Sequence, residues 1–212
     1  MAGNTERLTT TVRGMLNKLK MIQSSTSNIS NINTVGYKRE IPEAANFKSV
    51  MNEIAIKDDS QGSLTKTGNP LDVAIDGNAY FLIESKGELL TTKNGRFRLN
   101  EKGALSTDEG NEVVIIEKTD KLISLAKSSN IEINQTGEIF VDGERYGRIA
   151  LKILDNKPVK ISQGHLEGSN VNVINEMATL LMAFRSFEAS EKTLGMEASV
   201  DKDLIEKYGR NV

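Results

Sequence analysis

A chain of 212 residues is long enough for one ordinary domain with extensions, or for two small domains. Its 27 basic and 29 acidic residues leave a formal net charge of −2, which removes any electrostatic case for nucleic acid or an anionic membrane surface. Cysteine and tryptophan are absent, which excludes a disulfide framework, a Cys-based metal site, a thiol nucleophile and a large aromatic core.

The opening stretch, Met1 to Arg13, lacks an apolar h-region and a cleavage site, so no signal peptide is expected. From residue 5 to 32 the pattern is helical. Val12, Met15, Leu19, Ile22 and Ile29 recur at three, four, three and seven, a heptad-like seam with Thr26 in the skipped position. From Gln23 to Thr34 the chain is rich in Ser and Asn, whose helix propensity is poor, so packing must hold the helix there or it ends early. Gly36, following Asn33-Thr34-Val35, suits a left-handed C-cap. Residues 38–61 read as a connector arm containing Pro42, in which Phe47, Val50, Met51 and Ile54 fit either a short helix or an extended segment.

The character then changes. Gly62, Gly68, Gly77, Gly87, Gly95, Gly103 and Gly110 recur every six to ten residues, and β-like runs lie between them at 71–75, 79–83, 96–99 and 112–116. The pairs Asp76-Gly77, Lys86-Gly87, Asn94-Gly95, Lys102-Gly103 and Glu109-Gly110 read as turns, since such pairs tolerate positive φ. Further strands are expected at 131–133, 138–141 and 147–154. The whole, from 62 to 163, reads as an all-β module of short antiparallel strands.

From Glu167 to Lys207 the pattern returns to helix. Ile174, Met177, Leu181 and Phe184, then Leu194, Ala198 and Ile205, form an apolar stripe. Asn170 or Asn172 can cap its start, with Glu176 in the first turn. Glu188/Lys192 and Asp203/Lys207 stand at i,i+4. No membrane insertion is expected, because Thr179 and Arg185 interrupt the apolar run. Some 38 helical residues extend about 57 Å, more than a small domain, so this helix needs a partner along its length. The predicted fold class is α+β: long terminal helices pairing as a coiled coil, with the all-β module inserted between them. The expected parts are 1–37 (first helix), 38–61 (arm), 62–163 (β-rich domain) and 164–212 (second helix). The plainer alternative is a domain whose terminal helices cover a sheet.

Chemistry is sparse. The single histidine, His165, stands in Gly-His-Leu-Glu-Gly and reads as a solvated loop residue without a ligand set. No nucleotide-binding, nucleophile-elbow or zincin motif occurs. Residues 108–112 are acidic but lack calcium-loop register and read as a hairpin turn. Asp72 and Asp76 share a strand face, yet have no nucleophilic or acid–base companion. Asn134-Gln135-Thr136 matches a glycosylation sequon. The expectation is no catalytic, cofactor or metal site. The stripe Met177, Leu181, Met182, Phe184 and Phe187 reads as helix packing, against the chain's own first helix or a neighbouring molecule.

Three ordered motifs carry a resemblance that spans nearly the whole chain. The first is Asn28-Ile29-Ser30-Asn31-Ile32-Asn33-Thr34-Val35-Gly36-Tyr37-Lys38. The second is Thr67-Gly68-Asn69-Pro70-Leu71-Asp72-Val73-Ala74-Ile75-Asp76-Gly77, with Tyr80-Phe81 and Thr92-Lys93-Asn94-Gly95-Arg96-Phe97 behind it. The third is Gly164-His165-Leu166-Glu167-Gly168-Ser169-Asn170-Val171-Asn172, with Met177 and Arg185-Ser186-Phe187-Glu188 behind it. Together they resemble the bacterial flagellar rod and hook axial proteins, most of all the basal-body rod proteins. The resemblance implies a non-enzymatic subunit of a helical tube that crosses the periplasm and carries torque from motor to hook. It implies export through the flagellar type III apparatus without a cleaved signal, and as partners copies of itself and neighbouring rod or hook proteins. No cofactor, nucleic acid or membrane partner is implied. The assembly residues would be Val12, Met15, Leu19, Ile22, Asn28, Ile29, Asn31, Thr34, Gly36 and Tyr37 at one end. At the other they would be Ser169, Asn170, Val171, Asn172, Ile174, Met177, Leu181, Phe184 and Phe187. Asn78-Ala79 departs from the family's usual glycine before the aromatic pair, and residues 155–163 are a short return. The small size and the Leu-Glu-Gly-Ser-Asn-Val-Asn wording lean toward a proximal rod subunit. A distal-rod or hook paralogue is the alternative, and in another class a monomeric β-barrel binding module with a helical stalk.

Overall fold

A computed structural model describes residues 2–42, 56–118 and 130–208. The arm residues Phe47, Val50, Met51 and Ile54 lie outside the described residues, as do the side chains of Ala198, Asp203, Ile205 and Lys207. The protein is α+β and divides into two compact units. One comprises residues 1–30, 40–58 and 172–212, the other 31–39 and 59–171.

The first unit holds the two long helices, α1 (Ala2–Ser30) and α2 (Val173–Tyr208), and a short antiparallel pair, β1 (Glu40–Ile41) and β2 (Ile56–Lys57). The helices lie against each other, and Lys18 Nζ donates to Ser186 O (3.1 Å) and Ser190 Oγ (2.6 Å). Asn172 caps α2, its Oδ1 accepting from the backbone N of Ile174 and Asn175 at 3.1 Å each. The Ser/Asn-rich end of α1 remains helical because it is packed: Ser24, Ser25 and Asn28 are buried. Asn28 clamps β1, donating from Nδ2 to Glu40 O (2.9 Å) and accepting from Glu40 N (2.8 Å). α1 ends at Ser30, six residues before Gly36, so Gly36 is not its C-cap. Gly36 does adopt a left-handed φ of 67°, in the turns that follow.

The second unit is all-β among its described residues. In chain order its strands are β3 (Leu64–Lys66), β4 (Val73–Asp76), β5 (Ala79–Ser85), β6 (Glu88–Thr92), β7 (Arg98–Leu99), β8 (Leu105–Ser106), β9 (Glu112–Val113) and β10 (Ile115–Ile116). They continue with β11 (Ile131–Ile133), β12 (Glu138–Val141), β13 (Glu144–Ile149), β14 (Leu151–Ile153), β15 (Lys160–Gln163) and β16 (His165–Glu167). A six-stranded sheet runs β14-β5-β9-β8-β7, with β6 also on β5, and a four-stranded sheet runs β10-β13-β12-β11. Two ribbons, β15-β4 and β16-β3, tie the end of the unit to its start, and every pairing is antiparallel.

One core joins these elements. Val73, Ile75, Phe81, Phe97, Ile139, Ile149 and Ile161 are all buried in it. The Phe81 and Phe97 rings meet edge-to-face, 5.1 Å between centroids. The β5–β6 hairpin turns at Lys86-Gly87 and the β12–β13 hairpin at Asp142-Gly143, with both residues of each pair at positive φ, the signature of a type I′ turn. Asn94-Gly95 is a different case. Gly95 does not take a positive φ; it is needed because a Cβ there would fall 1.6 Å from Val73 O, and its own carbonyl accepts from Val73 N at 2.9 Å.

Candidate functional site

The second unit places the three sequence motifs on one buried charge cluster. Glu167, in β16, is 1% exposed. Its Oε1 accepts from Lys38 Nζ at 2.7 Å and from the backbone N of Gly62 at 3.0 Å. Its Oε2 lies 3.3 Å from Lys93 Nζ, an ionic contact without hydrogen-bond alignment. Its backbone O accepts from Gly36 N at 2.7 Å. Each lysine has a second anchor, Lys38 on Ser60 O (2.7 Å) and Lys93 on Gly77 O (2.9 Å), and Lys93 also stands over the Tyr80 ring at 5.5 Å.

Asn170 extends the cluster. Its Oδ1 accepts from Arg39 N at 2.7 Å, and its Nδ2 donates to Ser60 O at 2.9 Å and Ser60 Oγ at 3.1 Å. Its backbone N donates to Tyr37 O at 3.4 Å. Thr34 organises the approach, donating from N to Asn31 O and from Oγ1 to Asn31 Oδ1, both at 3.0 Å. Gly36 is required where it is: a Cβ would sit 2.4 Å from the Lys93 carbonyl carbon, besides the strain of its positive φ.

Burial and the neighbouring Lys38 charge pull the Lys93 ammonium below its ordinary range, and Glu167 opposes them. Burial pushes the Tyr80 phenol well above its ordinary value, helped by its hydrogen bond to the Asp59 carboxylate. Two cations facing one carboxylate cross-link distant chain segments in a buried place, where solvent screens them little.

In the first unit, burial assigns the faces of the helix pair. Ser24, Ser25 and Asn28 of α1 and Glu176 and Ala183 of α2 are buried, so the inward side is small and polar. The apolar stripe of α2 points out instead: Ile174, Met177, Leu181 and Phe184 are 75%, 51%, 60% and 46% exposed. Phe187 is half-buried. On α1, Val12 and Leu19 are exposed, while Met15, Ile22 and Ile29 are half-buried. Ser169 and Val171 belong to the segment before Asn172: Val171 is buried and its N donates to Ser169 Oγ at 3.3 Å.

The remaining candidates resolve into structural roles. His165 sits in strand β16 rather than a loop, with Nδ1 2.8 Å from Gln163 O. Asp72 is buried and accepts from Asn69 Nδ2 at 3.0 Å, whereas Asp76 is exposed. Asn134 forms a tight turn, its Oδ1 accepting from the N of Thr136 and Glu138, which leaves the sequon serving the backbone. Phe81 and Phe97 are core, and half-buried Tyr80 lies beneath Lys93, so these aromatics do not line a binding cleft. No group of metal-ligating side chains occurs among the described residues, and no described helix is long and apolar enough to cross a membrane.

Comparison with known families draws on these same segments. The flagellar hook protein FlgE/F/G D1 domain matches residues 74–141, which include Lys93, and the flagellar basal body rod FlgEFG protein C-terminal domain matches residues 162–206, which include Glu167 and most of α2. The chain belongs to the flagellar rod and hook protein family. It is 29% identical over 228 residues to the flagellar basal-body rod protein FlgF of Mesorhizobium japonicum, covering 90% of this chain and 92% of that relative. It is 28% identical over 246 residues to the flagellar basal-body rod protein FlgG of Agrobacterium fabrum, covering 84% and 91%. The FlgF of Caulobacter vibrioides is 27% identical over 221 residues, covering 87% and 90%. In this chain the cluster joins, through Lys38, Lys93 and Glu167, one residue from each of the three sequence motifs.

Proposed function

We propose that this chain is a structural subunit of the bacterial flagellar basal-body rod. It polymerises helically, with copies of itself and neighbouring rod and hook proteins, into the hollow shaft that transmits torque from motor to hook. The observation that carries this reading is the outward stripe of Ile174, Met177, Leu181 and Phe184 on α2. Fully burying such a side chain is worth about 1.5–3 kcal/mol; these four retain roughly half or more of their surface to bury, so together they still form an association surface. A contact between unlike surfaces that does not close into a ring propagates as a filament.

On this reading α1 and α2 continue as a coiled coil. Residues 1–37 and 164–212 form the axial part, 62–163 the outer β-rich domain, and 38–61 the arm between them. The subunit resides in the periplasm-spanning rod, is delivered by the flagellar type III apparatus without a cleaved signal peptide, and performs no catalysis. The small size and the Leu166-to-Asn172 wording favour a proximal position over a distal-rod or hook paralogue.

Deleting residues 1–30 and scoring swimming and rod assembly tests the proposal. Loss of both is expected, and normal swimming after the deletion overturns it.

A further inference from the structure

The ribbons at the end of the β-unit close it in an unusual way. Among the described strands, β3 pairs only with β16 and β4 only with β15. Backbone donors on the early side converge on the late one. Thr67 N and Gly68 N donate to Gly164 O at 2.8 and 3.2 Å, Gly36 N donates to Glu167 O at 2.7 Å, and Gly62 N donates to the Glu167 carboxylate at 3.0 Å. Returning bonds run from Gly164 N to Asp72 O (2.7 Å) and from Gly168 N to Ser63 O (2.8 Å). Lys38 and Lys93 are buried, and Glu167 is the carboxylate that both meet.

We propose that Glu167 times the closure of the β-unit: residues 36–38, 62–76 and 93–95 reach their native arrangement only in the step that docks residues 160–170. Until Glu167 arrives, drying the pocket would leave two ammonium groups near each other without the carboxylate that both meet, with only the more distant charge of Asp59, held on Tyr80, to offset Lys93, which is unfavourable. Lys38 and Glu167 are 129 residues apart, so the contact that neutralises the pocket has high sequence separation and forms late. The four-stranded sheet has no such requirement. Its β12–β13 hairpin turns in two residues, at Asp142-Gly143, and can form early. The effect is a chain whose first 160 residues cannot complete the unit alone. This inference goes beyond the rod reading and does not depend on it.

Refolding of the full-length chain from urea, followed by pulsed hydrogen exchange and mass spectrometry, tests it. Amides of 62–68 and 164–168 should gain protection in one shared phase, after those of 138–149. Protection of 62–68 ahead of 164–168 overturns the proposal. In Glu167→Gln the shared phase should slow on the order of tenfold or more, or vanish, while 138–149 is unaffected. Adding Lys93→Met to that variant should recover part of the rate, because only one buried ammonium then remains. An unchanged shared phase in Glu167→Gln overturns the role of the carboxylate even if the order of events holds.

Discussion

Glu167 holds Lys38 and Lys93 with opposite oxygens of one buried carboxylate, at 2.7 and 3.3 Å. The trio is unbalanced, two positive charges to one negative, and the two lysines are therefore not equivalent. Lys93 is the one whose charge is disfavoured by burial and by its neighbour Lys38. Glu167→Gln removes the common partner and strands both cations, so it should cost about 3–5 kcal/mol. Lys93→Met removes the disfavoured charge and leaves a balanced Lys38–Glu167 pair, so it should cost less than half as much. Urea denaturation of the two variants checks this; equal losses would mean that the cluster does not act as a charge-balanced unit.

The elements of this fold were legible in unequal degrees, for physical reasons. The strand 131–133 follows from alternation, 138–141 from a short apolar run between turn residues, and both long helices from their apolar spacing. The β15 and β16 ribbons were not legible, since Lys160–Gln163 and His165–Glu167 are short and mostly polar, and their strand state comes from distant partners. The partner of the α2 stripe was not legible, since its spacing fits packing on the chain's own first helix as well as on a neighbouring molecule; here Ser24, Ser25, Asn28, Glu176 and Ala183 are buried and Met177 is exposed. The charge cluster was marked in the sequence only by motif membership. Nothing local says that Lys38, Lys93 and Glu167 meet.

Alkaline pH should separate two members of the cluster. The Tyr80 phenol has its folded value raised, so the stability it contributes is fully present below the ordinary tyrosine value of about 10 and is lost as pH rises above it. Lys93 has the opposite sign. Its folded value is lowered, so between that value and its ordinary one of 10.5 the unfolded chain binds more protons and this group's contribution grows with pH. Tyr80→Phe should therefore flatten the fall in stability above pH 10. In a phenolate absorbance titration, which reads all four tyrosines, it should delete the latest-ionising component. Retention of that component in Tyr80→Phe would assign it to another tyrosine.

Two glycines with different constraints should respond differently to alanine. Gly95→Ala drives a Cβ to 1.6 Å from Val73 O, a rigid backbone atom, so backbone must shift beside the core residue Phe81. A loss above about 3 kcal/mol is expected, the range of severe core disruption. Gly110→Ala meets nothing within 4 Å and carries only the strain of a φ of 87°, so about 1 kcal/mol is expected. Thermal melts rank the two, and a reversed order would contradict the close approach of Gly95 to β4.

The helix pair allows folding and assembly to be separated. Met177→Glu and Leu181→Glu replace exposed side chains, so the isolated chain should keep its stability within about 0.5 kcal/mol. The same changes place charge on the face proposed to meet a neighbouring subunit, and rod assembly and swimming should fail. Ala183→Leu acts on the other side of the helix. Ala183 is 3% exposed, so overpacking there should destabilise the isolated chain by about 1–3 kcal/mol. Calorimetry of the purified proteins, set beside motility of strains carrying the same substitutions, resolves the two effects. If Met177→Glu and Leu181→Glu strains swim normally, the outward stripe of α2 is not the assembly surface.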